Sequence, residues 1–303
     1  MKEIKGVIVP LLTPIDQEER PIQSQLAGLT DYVVEGGVDA IFANGTTGEF
    51  ARFTPAERIE NLKTIVSAAK GRVPVLAGIS DCGTRLVLDN ARAARDAGAD
   101  ALVTTLPYYF PTTSPKEQIN FLERVANTAQ LPVMLYNIPA VVGCSVGEEV
   151  LDVVCQLDNL CGVKDTSGDP AYLKLLLEKY SGQVRIYVGD ERLCWQGLSQ
   201  GASGLVPSLA NPFPRVMAAA WAAACRRDWE ACKEHCGVVD RMNELNRFSD
   251  SWMSPNIWRK EALRQMGVMD GAFTHPHNPV GEGDKAQIAQ WIEFYRANYK
   301  TGT

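Results

Sequence analysis

Eight short apolar runs rich in β-branched residues recur along the 303 residues, and a longer segment of helical character separates each from the next. They are GVIVPLLTP (6–14), VDAIFANGTTGE (38–49), VPVLAGIS (73–80), ADALVTTLPYY (99–109), LPVMLYNIP (131–139), LCGVKDTS (160–167), VRIYVGDE (184–191) and ASGLVPS (202–208). A chain that returns through a helix re-enters its sheet in the same direction, so this alternation predicts parallel βαβ units. Strands that are apolar throughout are buried on both faces, which suits a (β/α)8 TIM barrel. A doubly wound open sheet is the alternative that the same alternation allows.

The pattern changes after about residue 212, where RVMAAAWAAACRRDWEACKEHCGVVDRMNEL and SPNIWRKEALRQMGVM carry helical periodicity only. Residues 1–225 are therefore expected to form the barrel that carries the active site, with 226–303 a C-terminal helical extension. The join has no Gly/Ser-rich linker, so the extension is expected to pack on the barrel.

The formal charge of −6, with no block of Lys or Arg, argues against nucleic acid or an anionic membrane surface as the main partner. No apolar run is long enough to span a bilayer, and the N-terminus lacks a small-residue cleavage site, which makes the cytoplasm the expected location. The eight cysteines are scattered through apolar segments and read as buried free thiols, not as a disulfide framework.

In a parallel barrel the chemistry sits at the C-terminal ends of the strands, and here those ends are polar. Run two ends in Gly45-Thr46-Thr47-Gly48-Glu49, run five in Tyr136-Asn137-Ile138-Pro139, run six in Lys164-Asp165-Thr166-Ser167, and run seven in Gly189-Asp190-Glu191. Lys164 follows Leu160, Cys161 and Val163, a strand that would carry its amine into the barrel mouth. Desolvation there lowers a lysine pKa, and a neutral amine can attack a carbonyl to form a Schiff base. The competing reading is an ion pair between Lys164 and Asp165 or Glu191. Tyr136, one strand away, offers a phenol for proton transfer, and the glycines around Thr46 and Thr47 would let a ligand carboxylate approach hydroxyls and backbone N–H groups.

With GTTGEF (45–50), PYYF (107–110), YNIP (136–139) and GVKDTSGD (162–169) in this order and spacing, the chain resembles the dihydrodipicolinate synthase / N-acetylneuraminate lyase family of pyruvate-dependent class I aldolases. The resemblance extends into the tail, ending KEALRQMGV. It implies that Lys164 forms the imine, Tyr136 transfers protons, Thr47 holds the pyruvate carboxylate with Gly48 beside it, and Thr46 relays a proton. It further implies that Tyr109 enters a neighbouring subunit's site, that the assembly is a homo-oligomer built as a dimer of dimers, and that the Val206 carbonyl faces the pocket. The substrates would be pyruvate and an aldehyde, with no cofactor beyond the covalent imine.

Within the family, synthases place an arginine two residues after the YN(V/I)P motif to bind the carboxylate of aspartate semialdehyde. Here that position is Val141, and a lost Arg–carboxylate contact weakens the synthase reading. Thr166, Gly189, Asp190 and Glu191 instead resemble the polar set that sialic-acid lyases and 2-keto-3-deoxy sugar acid aldolases aim at substrate hydroxyls. Phe50 and Phe110 are expected to shape the pocket wall. The expected activity is retro-aldol cleavage of such a 2-oxo acid; the alternatives are dihydrodipicolinate synthase, a dehydratase using the same imine, or a regulatory protein that binds a 2-oxo acid without turnover.

Metal catalysis is not expected. His235, His275 and His277 all lie in the tail, and Cys232, His235 and Cys236 share a helix face without a fourth ligand. THPHNPV (274–280) reads as a loop without an assigned role, and no nucleotide fingerprint follows any strand.

Overall fold

The computed structural model describes residues 4–248, 256–270 and 272–300. Eight strands close into one parallel barrel in sequence order: β1 (Gly6–Pro10), β2 (Ala40–Ala43), β3 (Val75–Gly78), β4 (Ala101–Thr104), β5 (Val133–Asn137), β6 (Leu160–Asp165), β7 (Arg185–Val188) and β8 (Gly204–Leu205). β8 pairs with β1 to complete the ring, and closure leaves no open edge. Each strand falls inside one of the eight runs singled out in the sequence, and the open-sheet alternative is thereby excluded.

Between the strands lie α1 (Gln23–Glu35), α2 (Pro55–Ala69), α3 (Thr84–Asp96), α4 (Pro115–Thr128), the short α5 (Pro139–Val142) and α6 (Glu148–Val154), α7 (Pro170–Lys179) and α8 (Cys194–Ser199). Beyond β8 the described residues add α9 (Pro214–Cys225), α10 (Trp229–Asn243), α11 (Asn256–Gln265) and α12 (Glu282–Asn298). Local signals set several starts. Thr54 caps α2 in a reciprocal box with Glu57 and Pro55 follows it, while Asp169 accepts from the backbone N–H groups of Ala171 and Tyr172 ahead of α7.

Strand residues alternate between two cores, as a period of two requires. Ile8, Ala40, Phe42, Leu76, Val103 and Met134 face the barrel interior, while Val9, Ile41, Ala77, Leu102 and Leu135 pack outward against the helices. The Tyr187 hydroxyl donates to the Ile4 carbonyl at 2.8 Å, which pins the N-terminal segment to the barrel. Fully burying one such aliphatic side chain contributes about 1.5–3 kcal/mol, so the two cores together supply the rigidity that fixes the strand ends.

The cysteines are all free, but the expectation that they are buried needs correction. Cys155, Cys194, Cys232 and Cys236 are buried, whereas Cys82 and Cys225 are exposed. Both exposed thiols lie outside the regular barrel core, Cys82 in the loop after β3 and Cys225 at the last turn of α9. Among the described residues no helix is long and apolar enough to cross a membrane.

Candidate active site

Alternation along β6 places Lys164 inward while Val163 joins the outer core. Its register partners are Tyr136 on β5 and Tyr187 on β7, so the three side chains form one row across neighbouring strands. Lys164 is only 4% exposed; its Nζ lies 3.7 Å from the centre of the Tyr136 ring and 5.2 Å from that of Phe42. Burial pushes the amine's pKa below its ordinary value, and Tyr136 and Glu191 act in the opposite sense.

Neither carboxylate considered as an ion-pair partner is engaged by Lys164. Asp165 accepts from Asn137 Nδ2 at 2.8 Å and from the Ser167 hydroxyl at 2.8 Å, and burial raises its pKa. Glu191 uses Oε1 to accept from the Ser208 hydroxyl (2.8 Å) and the Leu209 N–H (2.7 Å), and its Oε2 pairs with Arg259 at 3.1 Å.

A cavity of about 620 Å³ opens above Lys164 at the C-terminal ends of the strands. Thr46, Thr47, Tyr136 and Thr166 line it with the lysine, and Gly189, Asp190, Glu191 and Val206 complete the same wall. The Thr166 hydroxyl is buried without a hydrogen-bond partner. Thr46, Val141 and Asn256 line both this cavity and an adjoining one of about 220 Å³.

Gly189 is required by its neighbours: a Cβ there would lie 2.0 Å from Thr166 Oγ1 and 2.8 Å from Lys164 Cε. Gly48 lies outside the cavity wall. Its carbonyl accepts from the Thr13 hydroxyl at 2.8 Å, and a Cβ would meet the Leu11 carbonyl oxygen at 2.8 Å, so it serves the packing of the turn. Tyr109, at φ 73°, is 80% exposed and Phe110 is 74% exposed; they meet edge to face at 5.0 Å, away from the cavity. Phe110 is thus no part of the pocket wall in this chain, because the turn after β4 carries it outward. Phe50 does line the adjoining cavity, set edge to face against Tyr108 and beneath the Arg58 guanidinium.

Asp190 is held by a two-point contact with Arg192, Nε to Oδ1 at 3.0 Å and the second nitrogen to Oδ2 at 2.5 Å. The remaining closure comes from helix α11, which the sequence reading did not connect to the site. Asn256 donates to the Thr47 carbonyl at 3.1 Å, Arg259 pairs with Glu191, and Lys260 pairs with Glu49 at 2.7 Å. Residues 256, 259 and 260 lie on one face of a helix, so a single turn of α11 grips the loops after β2 and β7. The signal available was a pair of adjacent cations between the apolar Ile257-Trp258 and Ala262-Leu263 in the stretch NIWRKEAL.

Burial alone would raise the Glu49 carboxyl pKa, but Lys260, Thr274 and Arg52 hold it below the usual value. The THPHNPV loop latches onto the same region: Arg52 donates to the His275 carbonyl at 2.6 Å and meets His277 Nε2 at 2.8 Å. His235 Nδ1 lies 3.0 Å from the Tyr299 hydroxyl on a packed helix face. Among the described residues no group of three or more His, Cys, Asp or Glu side chains is arranged to hold a metal ion.

A family model described as the dihydrodipicolinate synthetase family matches residues 3–294. The chain is 32% identical over 275 residues to a 4-hydroxy-tetrahydrodipicolinate synthase of Ectopseudomonas mendocina, covering 90% of this chain and 92% of that protein. A Pseudomonas aeruginosa protein of the same name matches at 32% identity over the same share of both chains. Among solved structures, the chloride-inhibited dihydrodipicolinate synthase of Acinetobacter baumannii complexed with pyruvate superposes with a TM-score of 0.90 at 27% identity, covering 97% of this chain and 99% of that one. A prophage protein of the dihydrodipicolinic acid synthase family from E. coli K12, in complex with pyruvate, gives 0.89 at 25% identity over 96% and 98%.

Proposed function

The chain belongs to the dihydrodipicolinate synthetase family, and we propose that within it the protein is a Schiff-base lyase cleaving a 2-keto-3-deoxy sugar acid or sialic acid type substrate to pyruvate and an aldehyde. The Lys164 amine attacks the C2 carbonyl, and loss of water leaves a protonated imine. Tyr136, through Thr46, takes the proton of the C4 hydroxyl as the C3–C4 bond breaks; the bonding pair moves into the imine to give an enamine, and the aldehyde departs. Protonation at C3 and hydrolysis then release pyruvate and restore the amine. Thr47 holds the carboxylate, with Thr166, Asp190 and the Val206 carbonyl along the chain of the substrate. Glu191, with both oxygens engaged, acts by fixing Ser208 and the loop around it.

The observation that carries this reading is the polar inventory of the wall. Thr166 offers an unpartnered hydroxyl, while Arg192 and Arg259 are each paired with a carboxylate, as is Lys260 in the adjoining cavity, and Val141 is apolar. Such a wall suits hydroxyl groups better than a second substrate carboxylate, which would need an unpaired cation.

The synthase reading is kept for one specific reason, the name carried by relatives at 32% identity. Pyruvate release from 2-keto-3-deoxy sugar acids and N-acetylneuraminate, measured beside condensation of pyruvate with aspartate semialdehyde, separates the two. Release from a sugar acid is expected; turnover of the semialdehyde alone would replace the lyase by the synthase. The outward pair Tyr109–Phe110 supports a subunit contact in a dimer of dimers.

A further inference from the structure

Three asparagines reach the large cavity from the helical tail, and two of them are already committed. Asn246 Oδ1 accepts from the Trp258 indole at 2.9 Å and from Arg259 at 3.1 Å, and Asn256 donates to the Thr47 carbonyl. Asn243, the last residue of α10, differs. Its amide nitrogen and its carbonyl oxygen are both buried and neither has a hydrogen-bond partner. Native proteins seldom leave both ends of a buried amide unmatched, and such a group fits a ligand that offers a donor and an acceptor together. A hydroxyl does both, whereas a methylene or a carboxylate does not.

We infer that Asn243 is a specificity-determining residue that binds a hydroxyl on the part of the substrate farthest from the imine. The inference rests on the proposed lyase reading and adds to it a contact from outside the barrel. The strand ends hold the reacting 2-oxo acid, and α10 reads the length and hydroxylation of the rest of the chain. An apolar chain placed there would leave the amide unmatched, so discrimination arises from the penalty on the wrong ligand as much as from the contact with the right one.

The test is imine formation, which needs no turnover. Borohydride trapping on Lys164, read by mass spectrometry, gives a half-saturating concentration for pyruvate, 2-keto-3-deoxygluconate and 2-oxohexanoate. In the wild type, 2-keto-3-deoxygluconate is expected to saturate at a lower concentration than 2-oxohexanoate. Asn243→Leu is expected to erase at least about tenfold of that ratio, and Asn243→Asp, which keeps an acceptor, to erase less. Equal shifts for all three acids, no shift for any, or no wild-type preference for the hydroxylated acid would each overturn the inference. Should Asn243→Leu fail to fold, Asn243→Asp and Asn243→Ser decide it by the same ratios. If pyruvate is not trapped in the wild type, it is the lyase reading that falls.

Discussion

Lys164 and Tyr136 are register partners on adjacent strands, and the lysine nitrogen sits 3.7 Å from the centre of the tyrosine ring. The pairing joins two requirements of imine chemistry. Burial favours the uncharged amine while Tyr136 acts in the opposite sense, and under the proposed mechanism the phenol is the group that takes up or gives the proton. The ordered row depends on the barrel, since any slip of β6 against β5 by one residue would turn Lys164 into the outer core.

The tyrosine's part can be separated from the lysine's. Tyr136→Phe is expected to lower kcat by about 10²–10⁴-fold, the range for loss of a positioned acid–base group, while borohydride still traps pyruvate on Lys164. Unchanged turnover would remove Tyr136 from the proton path.

The lysine should also leave a mark on stability. Its folded-state pKa is lowered by burial, so between that value and the unfolded value of about 10.4 the unfolded chain holds a proton that the native chain does not. Stability therefore rises with pH through that window, by up to about 1.4 kcal/mol per pH unit, and Lys164 is a cost at neutral pH. Lys164→Met is expected to melt above the wild type at pH 7, with the gap shrinking toward pH 10. A variant that melts lower at both pH values would contradict a net cost for the buried amine.

Gly189→Ala places a methyl group against Thr166 and Lys164, at 2.0 and 2.8 Å from the nearest atoms. Overpacking of this kind costs about 1–3 kcal/mol, and here the strain falls on the Thr166 and Lys164 side chains. Slower imine formation together with a lower melting temperature is expected. Wild-type kinetics would mean that β7 can give way without moving Lys164.

Arg259 and Glu191 form an ion pair with side-chain exposures of 2% and 8%. Removing one partner from such a buried pair typically costs about 3–5 kcal/mol, because the other charge is left without compensation. Arg259→Met is expected to fall in this range by denaturant unfolding, and the double variant with Glu191→Gln to recover part of the loss. A single variant within about 0.5 kcal/mol of the wild type would show that α11 is held by its apolar contacts.

The eight strands were legible because barrel strands buried on both faces read as apolar runs bounded by helix ends, and Lys164 stood out as a charged residue closing one of them. The grip of α11 was not legible. Asn256 and Thr47 are 209 positions apart, as the hydrogen bond between them records, and no local pattern encodes which loops a distant helix will meet. Asn243 was missed for the same reason, since a polar residue at the end of an amphipathic helix reads as solvated until the fold covers it. Phe110 failed in the opposite sense: its place in a motif next to Tyr109 suggested a wall, but direction in a turn depends on backbone angles that the motif does not state.

The most direct measurement is borohydride trapping with pyruvate on the wild type and on Lys164→Ala, followed by peptide mass mapping. A single pyruvyl adduct on the peptide carrying Lys164, absent from the variant, is expected. An adduct on another lysine, or none at all in the wild type, would contradict the assignment of Lys164 as the imine-forming residue.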